Sequence, residues 1–222
     1  MYNSFIELRR IRFLIIKLYE IDTFVSMHNF SNVCVFCASS SGTNPIYLNT
    51  ARELGSYIGN NNMSLIYGGG KVGLMGAVAD SSLESGAKVI GIIPDFMMEK
   101  EIGHTGVTEL IVVKSMHERK LQMHELSDAV ITLPGGFGTF EELFEILTWI
   151  QLGLYQKPVG ILNVNGYYDL LEKQLDTMVI EGLLKPEHRN GLIFSTEMDQ
   201  LFNLMRQYKP ITPLFHLKKD ET

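Results

Sequence analysis

The chain has 222 residues, of which 45% are hydrophobic and 20% are charged, a balance that suits one compact globular domain with a large core. Its formal net charge is −6 and it has no basic block, which argues against nucleic acid as the main partner. No stretch reaches about 18 continuous apolar residues, so the sequence predicts no membrane span.

Both ends of the chain are expected to lie outside the folded domain. Residues 13–16 form a short apolar stretch flanked by Arg and Lys, which loosely resembles a signal peptide. The stretch is too short and interrupted, and no small-residue cleavage site follows it. We therefore expect an N-terminal extension over residues 1–30, one domain over 31–208 and a C-terminal tail over 209–222.

Short apolar runs alternate with longer stretches of helical character along the domain. The runs predict buried strands over residues 32–38, 64–67, 88–93, 109–113, 129–133, 159–162 and 192–194. The stretches between and after them predict helices over residues 45–59, 74–85, 116–126, 139–151, 168–181 and 197–208. This alternation indicates an α/β fold, a single-domain Rossmann-like three-layer sandwich in which helices cover both faces of a parallel sheet.

The two cysteines lie inside the first predicted strand. Cys34 and Cys37 have the spacing of a CxxC motif, which can serve redox or metal chemistry. Because no second pair exists and the run reads as a strand, we interpret both side chains as core packing. Two core thiols indicate a reducing, cytoplasmic setting.

Four loops that could carry binding chemistry each follow a predicted strand. They cover residues 39–44, 68–73, 97–106 and 135–139, and the third contains Glu101. Loops at the carboxyl ends of parallel strands share one rim of the sheet, so these four are expected to converge. The first loop could hold a phosphate or a base with its hydroxyl and N–H groups, or it could be an ordinary turn before a helix.

The second loop matches the dinucleotide fingerprint GxGxxG. Gly68, Gly70 and Gly73 lie between a strand and a helix, and Asp95 lies at about the distance of a ribose-binding acid. The match has defects, because the loop follows the second strand and Pro94 places Asp95 in a loop. A tight turn that lets the backbone approach a ligand or a facing helix would explain the glycines without a nicotinamide cofactor.

A basic pair begins the helix after the fourth strand. Ser115 is a plausible N-cap, with Glu118 completing a capping box. Arg119 and Lys120 then lie near the positive end of the helix, where the dipole disfavours cations. Two interpretations stay open: a solvated basic pair, or residues that gain more from a bound anion than they lose to the dipole.

The most informative stretch is residues 133–142, which read Leu-Pro-Gly-Gly-Phe-Gly-Thr-Phe-Glu-Glu. Strand, glycine-rich turn and helix start form the arrangement that holds phosphate, because the first helical N–H groups point at the anion. Thr139 is expected to cap the helix, with Glu141 and Glu142 in its first turn. Either Glu142 completes a capping box with Thr139, or one carboxylate faces the sugar of a bound nucleotide.

Two motifs together resemble the LONELY GUY family of cytokinin-activating phosphoribohydrolases, whose members were often labelled lysine decarboxylase-like. They are Ser-Met-His-Glu-Arg-Lys at 115–120 and Pro-Gly-Gly-Phe-Gly-Thr-Phe-Glu-Glu at 134–142. The resemblance extends over about residues 32–208, including the runs at 67–70, 152–160 and 165–168.

The resemblance implies hydrolysis of a purine nucleoside 5′-monophosphate, preferably N6-prenylated and often AMP, to the free base and ribose 5-phosphate. It implies no metal or organic cofactor, and a homodimer or larger assembly with the active site near the subunit interface. The implied catalytic residues are Arg119 and Glu142. The implied substrate-binding residues are Glu101, Arg119, Lys120, Gly135, Gly136, Phe137, Gly138, Thr139, Glu141, Glu142 and Thr148.

Three rival interpretations remain open from the sequence. A pyridoxal-dependent decarboxylase would need a Schiff-base lysine, and no lysine stands out in that role. A nicotinamide oxidoreductase would depend on residues 68–73 alone. A non-catalytic nucleotide-binding protein would keep the glycines but would not need Glu142 together with Arg119.

Overall fold

The computed structural model describes residues 29–98 and 103–214. Within them, all strands belong to one parallel sheet. The strands are β1 (Asn32–Phe36), β2 (Ser64–Tyr67), β3 (Val89–Pro94), β4 (Glu109–Val113), β5 (Ala129–Thr132), β6 (Val159–Leu162) and β7 (Leu192–Ser195). The helices are α1 (Pro45–Asn60), α2 (Gly73–Glu84), α3 (Met116–Leu126), α4 (Phe137–Leu152), α5 (Asp169–Ile180), α6 (Pro186–Asn190) and α7 (Met198–Arg206).

The sheet order is β4-β3-β2-β1-β5-β6-β7, so β1 lies at its centre. The chain first extends the sheet on one side of β1 and then returns to build the other side from β5 outward. The loops that leave β1 and β5 therefore diverge to opposite sides, and this topological switch point is where ligands bind in such sheets. The two loops stay in contact, because the Ala38 N–H donates to the Pro134 carbonyl at 3.2 Å.

Two apolar clusters fill the space on the two faces of the sheet. Along β1, Val33 and Val35 face one cluster while Cys34 and Phe36 face the other, as the alternation of a strand requires. The strand is therefore buried on both faces, which explains its uniformly apolar sequence. The predicted α/β fold with a covered parallel sheet is confirmed.

The two cysteine side chains point to different sides of the sheet. Cys34 packs in one apolar cluster and Cys37 in the other, and both are free and buried. Burial, with the Glu142 carboxylate nearby, raises the pKa of both thiols. The core-packing interpretation of this CxxC pair is confirmed.

Element boundaries depart from the sequence predictions at turns that tertiary contacts shape. The structure adds a short helix at α6 and single 3₁₀ turns at Asp95–Met97 and Val164–Gly166, which periodicity did not predict. The α4 helix begins at Phe137 rather than at Thr139, with Gly136 as its N-cap and no side-chain cap. The predicted Thr139 cap is therefore wrong.

Some expectations fall partly or wholly outside the described residues. They concern most of the expected extension over residues 1–30, Glu101 and the last part of the tail. The first part of the tail contacts the domain, because the Leu214 N–H donates to the Gln151 carbonyl at 2.7 Å. No helix within residues 29–98 and 103–214 combines the length and apolar character that crossing a membrane requires.

His124 is a buried titratable group in an aromatic cluster. Its ring packs edge-on against Phe36, Trp149 and Tyr155, with centroids 4.9–6.0 Å apart. Neither ring nitrogen has a hydrogen-bond partner within the part of the chain that the structure describes. Burial, together with the nearby Lys120 and Lys157 ammonium groups, lowers the pKa of His124 to about 4. The folded protein therefore holds this imidazole neutral.

We expect the free energy of unfolding to depend on His124 below neutral pH. Because its folded-state pKa lies below the unfolded value of about 6.5, stability present above that value is lost as pH falls towards 4, by roughly 2–3 kcal/mol. Urea unfolding of the wild type and of His124→Phe between pH 7 and pH 4 measures this. As pH falls, the free energy of unfolding should decrease more for the wild type than for His124→Phe. The same replacement at the exposed His117 is the control, and equal pH profiles for all three proteins would contradict the prediction.

Candidate active site

The candidate site lies at the carboxyl edge of the sheet, where the loops after β1, β2 and β5 meet the start of α3. The β1 and β2 loops interlock at Gly73, whose φ of +62° and contact with the Ser39 backbone leave no room for a side chain. The Leu74 N–H also donates to the Ala38 carbonyl at 3.1 Å. The predicted convergence of these strand-end loops on one rim is confirmed for the described residues.

The glycine turn after β5 presents backbone donors that no hydrogen bond within the helix uses. The first intrahelical bond at this end runs from the Phe140 N–H to the Gly136 carbonyl at 3.1 Å. The N–H groups of Phe137, Gly138 and Thr139 precede it and have no acceptor within the helix. A Cβ added at Gly136 or Gly138 would meet nothing within 4 Å. The turn therefore offers both donors and open space to an anion.

Thr139 packs beneath the glycine turn. Its side chain is buried and lies against Gly135, where an added Cβ would overlap the Thr139 hydroxyl. The first turn of α4 contains no acidic residue, so Glu141 and Glu142 lie beyond it. The first-turn position expected for the two acids is therefore wrong, and so is the alternative in which Glu142 completes a capping box with Thr139. The physical reason is that α4 begins two residues earlier, on Gly136.

Arg119 and Glu142 come together beside this turn. The Arg119 Nη2 lies 3.9 Å from the Glu142 Oε1, and the two side chains are only 5% and 12% exposed. The guanidinium rests on Gly68, where any Cβ would overlap it. The Met97 and Met116 sulfur atoms lie 3.9 and 3.8 Å from the Arg119 Nη1. Arg119 is therefore not a solvated basic residue.

The start of α3 holds Arg119 in place. The Ser115 hydroxyl accepts the Glu118 N–H at 3.1 Å, which confirms the predicted N-cap. The Glu118 carboxylate accepts the Lys114 N–H at 2.8 Å. It thus reaches one residue further back than the Ser115 N–H that the predicted capping box requires.

Lys120 contacts two carboxylates on α4. Its Nζ lies 2.6 Å from the Glu141 Oε1 and 2.8 Å from the Glu145 Oε1. Burial lowers the pKa of Lys120, but the hydrogen bonds that its ammonium donates to Glu141 and Glu145 outweigh this effect, and the net pKa is raised. Sequence reasoning missed Glu145. Its spacing of four residues from Glu141 was the available signal, since residues four apart share one face of a helix.

Thr148 does not reach the glycine turn of its own chain. It lies nine residues beyond Thr139, which is roughly 13 Å along the axis of α4. Its hydroxyl donates to the Phe144 carbonyl at 2.8 Å. Thr148 lies instead on the wall of a largely apolar cavity of about 260 Å³, between α4, α5 and the segment before β7.

Two tyrosines anchor the glycine turn, and sequence reasoning gave them no role. The Tyr167 hydroxyl donates to the Gly135 carbonyl at 2.7 Å, and the Tyr168 hydroxyl donates to the Leu133 carbonyl at 2.8 Å. The Asn163 side chain accepts the Tyr168 N–H at 2.8 Å and so fixes the β6–α5 turn. The available signal was the run Asn-Gly-Tyr-Tyr at 165–168, which forms part of the resemblance.

Two of the three glycines of the GxGxxG match are explained by contacts within the chain. Gly68 makes room for Arg119, and Gly73 lies against the neighbouring loop. Asp95 is exposed, and its carboxylate accepts the N–H of the next residue at 2.6 Å. These contacts favour the tight-turn interpretation over a dinucleotide site.

The fold and the site together define an α/β protein with an open glycine turn and a buried arginine–glutamate pair at the switch point of a parallel sheet. The chain belongs to the LONELY GUY family, within the family described as "Possible lysine decarboxylase", whose model matches residues 75–205. The family predicted from the two motifs is confirmed.

Curated relatives match most of the chain. A cytokinin riboside 5′-monophosphate phosphoribohydrolase of Arabidopsis thaliana is 44% identical over 182 residues, covering 82% of this chain and 80% of the relative. A protein of Oryza sativa subsp. japonica named "Probable cytokinin riboside 5′-monophosphate phosphoribohydrolase" is 44% identical over 187 residues, covering 84% of this chain and 82% of the relative.

Solved structures share the fold at lower identity. The molybdenum cofactor binding protein of Rippkaea orientalis is 22% identical, with a TM-score of 0.58, and the match covers 79% of this chain and 93% of that one. A Moco carrier protein of Chlamydomonas reinhardtii is 18% identical, with a TM-score of 0.59, covering 81% and 98%. At these identities the likeness shows the fold alone.

We expect Glu145 to stabilise the fold more than Glu141 does. Glu145 is 21% exposed and Glu141 is 52% exposed, while both bind the ammonium group of Lys120, whose side chain is 11% exposed. Glu145→Gln should cost about 1–3 kcal/mol, because it weakens a charged hydrogen bond to a largely buried partner. Glu141→Gln, the matched control, should cost less than about 1 kcal/mol because solvent screens that pair. Urea unfolding at pH 7 compares the two, and a larger loss for Glu141→Gln would refute the ranking.

Proposed function

We propose that this protein hydrolyses the N-glycosidic bond of purine nucleoside 5′-monophosphates. Its substrates are N6-prenylated adenine nucleotides and AMP, and its products are the free base, an active cytokinin, and ribose 5-phosphate. The names of the curated relatives support this activity. The observation that carries the proposal is the buried Arg119–Glu142 pair beside the open glycine turn.

The glycine turn binds the phosphate in this proposal. The backbone N–H groups of Gly136 to Thr139 surround the anion at the positive end of α4. Gly136 and Gly138 lack side chains, so the phosphate approaches the backbone closely. Arg119 holds the phosphate and the sugar in register, because its planar guanidinium can donate to both.

Glu142 carries the chemistry at the sugar. Breaking the bond to the purine builds positive charge on the ribose ring, as in other glycoside hydrolyses. A carboxylate beside the ring stabilises that charge and orients or deprotonates the attacking water. The Arg119 guanidinium, 3.9 Å away, orients the Glu142 carboxylate. Glu101 and Lys120 contact the nucleotide, and Lys120 does so by exchanging its exposed partner Glu141.

Glu142→Gln should lower kcat by roughly 100-fold or more and leave nucleotide affinity within a few-fold, because the amide keeps the shape but cannot stabilise the cationic sugar. Chromatography of the products from AMP and N6-prenyl AMP measures kcat, with the riboside and the triphosphate as controls. Calorimetric titration with AMP measures binding. Glu125→Gln, at an exposed position on α3 outside the proposed site, is the matched variant and should retain the wild-type turnover.

The same experiment separates the enzyme from a non-catalytic nucleotide-binding protein. Such a protein would bind AMP but release no base in the wild type. Near-normal turnover by Glu142→Gln would show that another group performs the chemistry.

The active assembly is a homodimer in which the Thr148 face of one copy completes the site of the other. Thr148 is implied to contact the nucleotide, yet it lies roughly 13 Å along α4 from the turn of its own chain. Around it, Leu183 is 83% exposed at the rim of the apolar cavity. A second copy covering this face would bury these groups and bring Thr148 to a glycine turn.

Leu183→Asp should therefore convert a dimer into a monomer of 25.1 kDa in light scattering after gel filtration. Burying the leucine contributes about 1.5–3 kcal/mol, and a twofold interface counts it twice. Val112→Asp introduces the same charge at an exposed position on β4, at the other edge of the sheet, and should leave the dimer intact. A monomeric wild type would remove this part of the proposal.

The setting of the reaction follows from the same features. Two buried free thiols suit a reducing compartment, so we place the activity in the cytoplasm. The unit that carries it is residues 31–208. The proposed steps use side chains and backbone donors of the protein and require no cofactor.

A further inference from the structure

The peptide between Gly135 and Gly136 is a part of the glycine turn with a glycine on each side. Neither flanking residue has a Cβ, so steric limits on the two dihedrals beside this peptide are weak. If the peptide turned over, the Gly135 carbonyl would point where the Gly136 N–H points. A carbonyl oxygen facing a phosphate repels it, whereas an N–H attracts it. Some interaction must therefore select one orientation.

Tyr167 supplies that interaction. Its hydroxyl donates to the Gly135 carbonyl at 2.7 Å. In a trans peptide the N–H points opposite to the carbonyl, so this bond directs the Gly136 N–H away from Tyr167. The described chain contains no cis peptide bond.

The ring of Tyr167 is itself held by neighbours on both sides. It packs edge-on against Tyr47, with centroids 5.8 Å apart, and against Tyr168, at 5.0 Å. Tyr47 belongs to α1, whose preceding loop leaves β1, while Tyr167 and Tyr168 follow β6. The hydroxyl is thus fixed by elements on both sides of the switch point.

We propose that Tyr167 is a positioning residue for substrate phosphate: by holding the Gly135 carbonyl, it keeps the Gly136 N–H turned toward the anion. The inference rests on the proposed function, since it places the phosphate of the nucleotide on the glycine turn. Tyr167 acts through the backbone and touches neither the sugar nor the base. It therefore affects phosphate binding and leaves the bond-breaking step alone.

Tyr167→Phe tests this, because it removes the hydroxyl and keeps the ring contacts. Calorimetric titration with ribose 5-phosphate should show roughly 3- to 10-fold weaker binding, the effect of one hydrogen bond. The KM for AMP should rise by a similar factor and kcat should change by less than about 2-fold. Inhibition by adenine, which carries no phosphate, should stay within about 2-fold of the wild type.

Tyr168→Phe is the matched control. It also removes a tyrosine hydroxyl, which donates to the Leu133 carbonyl beside the turn. The Leu133 carbonyl does not belong to the Gly135–Gly136 peptide. Tyr168→Phe should lower the melting temperature, but it should not weaken the binding of ribose 5-phosphate more than that of adenine. That selectivity separates positioning from general destabilisation.

The inference is overturned if Tyr167→Phe binds ribose 5-phosphate as tightly as the wild type does. It is equally overturned if the substitution weakens the binding of ribose 5-phosphate and of adenine by the same factor. It is also overturned if the wild type does not bind ribose 5-phosphate. If the wild type binds ribose 5-phosphate but hydrolyses no nucleotide, the proposed function fails, while the ratio of ribose 5-phosphate affinities still decides the role of Tyr167.

Discussion

The burial of the Arg119 guanidinium is the constraint on which the rest of the site depends. Removing a cation from water costs several kcal/mol unless opposite charge and good geometry compensate it. Here the Glu142 carboxylate lies 3.9 Å away, and the absence of a side chain at Gly68 gives the guanidinium its place. The pair joins the β2 loop, the start of α3 and the second turn of α4. Its position therefore determines how these three elements meet at the carboxyl edge of the sheet.

Two neighbouring cross-links between α3 and α4 make this arrangement specific. Arg119 faces Glu142, and the next residue, Lys120, faces both Glu141 and Glu145. Glu141 and Glu145 share one face of α4, while Glu142 lies about 100° around the helix from Glu141. A small rotation of either helix would break one contact or the other. The charged groups thus specify geometry as well as compensating each other.

The glycines of the site divide into two kinds by what surrounds them. At Gly68, Gly73 and Gly135, other parts of the chain occupy the space that a Cβ would take, so the lack of a side chain allows close packing. Gly136 and Gly138 face open space, so nothing within the described residues requires glycine there. Only the second kind indicates a ligand. The sequence alone does not distinguish the two kinds. At least two of the three glycines of the GxGxxG match, Gly68 and Gly73, are of the first kind.

The sequence by itself determined the local structure and the family. The predicted bounds of β2, β4 and β6 match the structure, because each is a short, mostly apolar run bounded by polar or turn residues. The cap at Ser115 and the paired motifs at 115–120 and 134–142 were equally visible, since a cap depends on neighbours three residues away.

Only the tertiary structure decided which distant side chains meet. Thr139 is buried under Gly135 instead of capping α4, Lys120 binds Glu145, and Tyr167 holds a carbonyl 32 residues earlier in the chain. These contacts depend on the order of strands in the sheet, which brings the ends of β1, β5 and β6 side by side. Periodicity and spacing encode conformation over a few residues, and strand order is a property of the whole chain, so no local pattern could have predicted them.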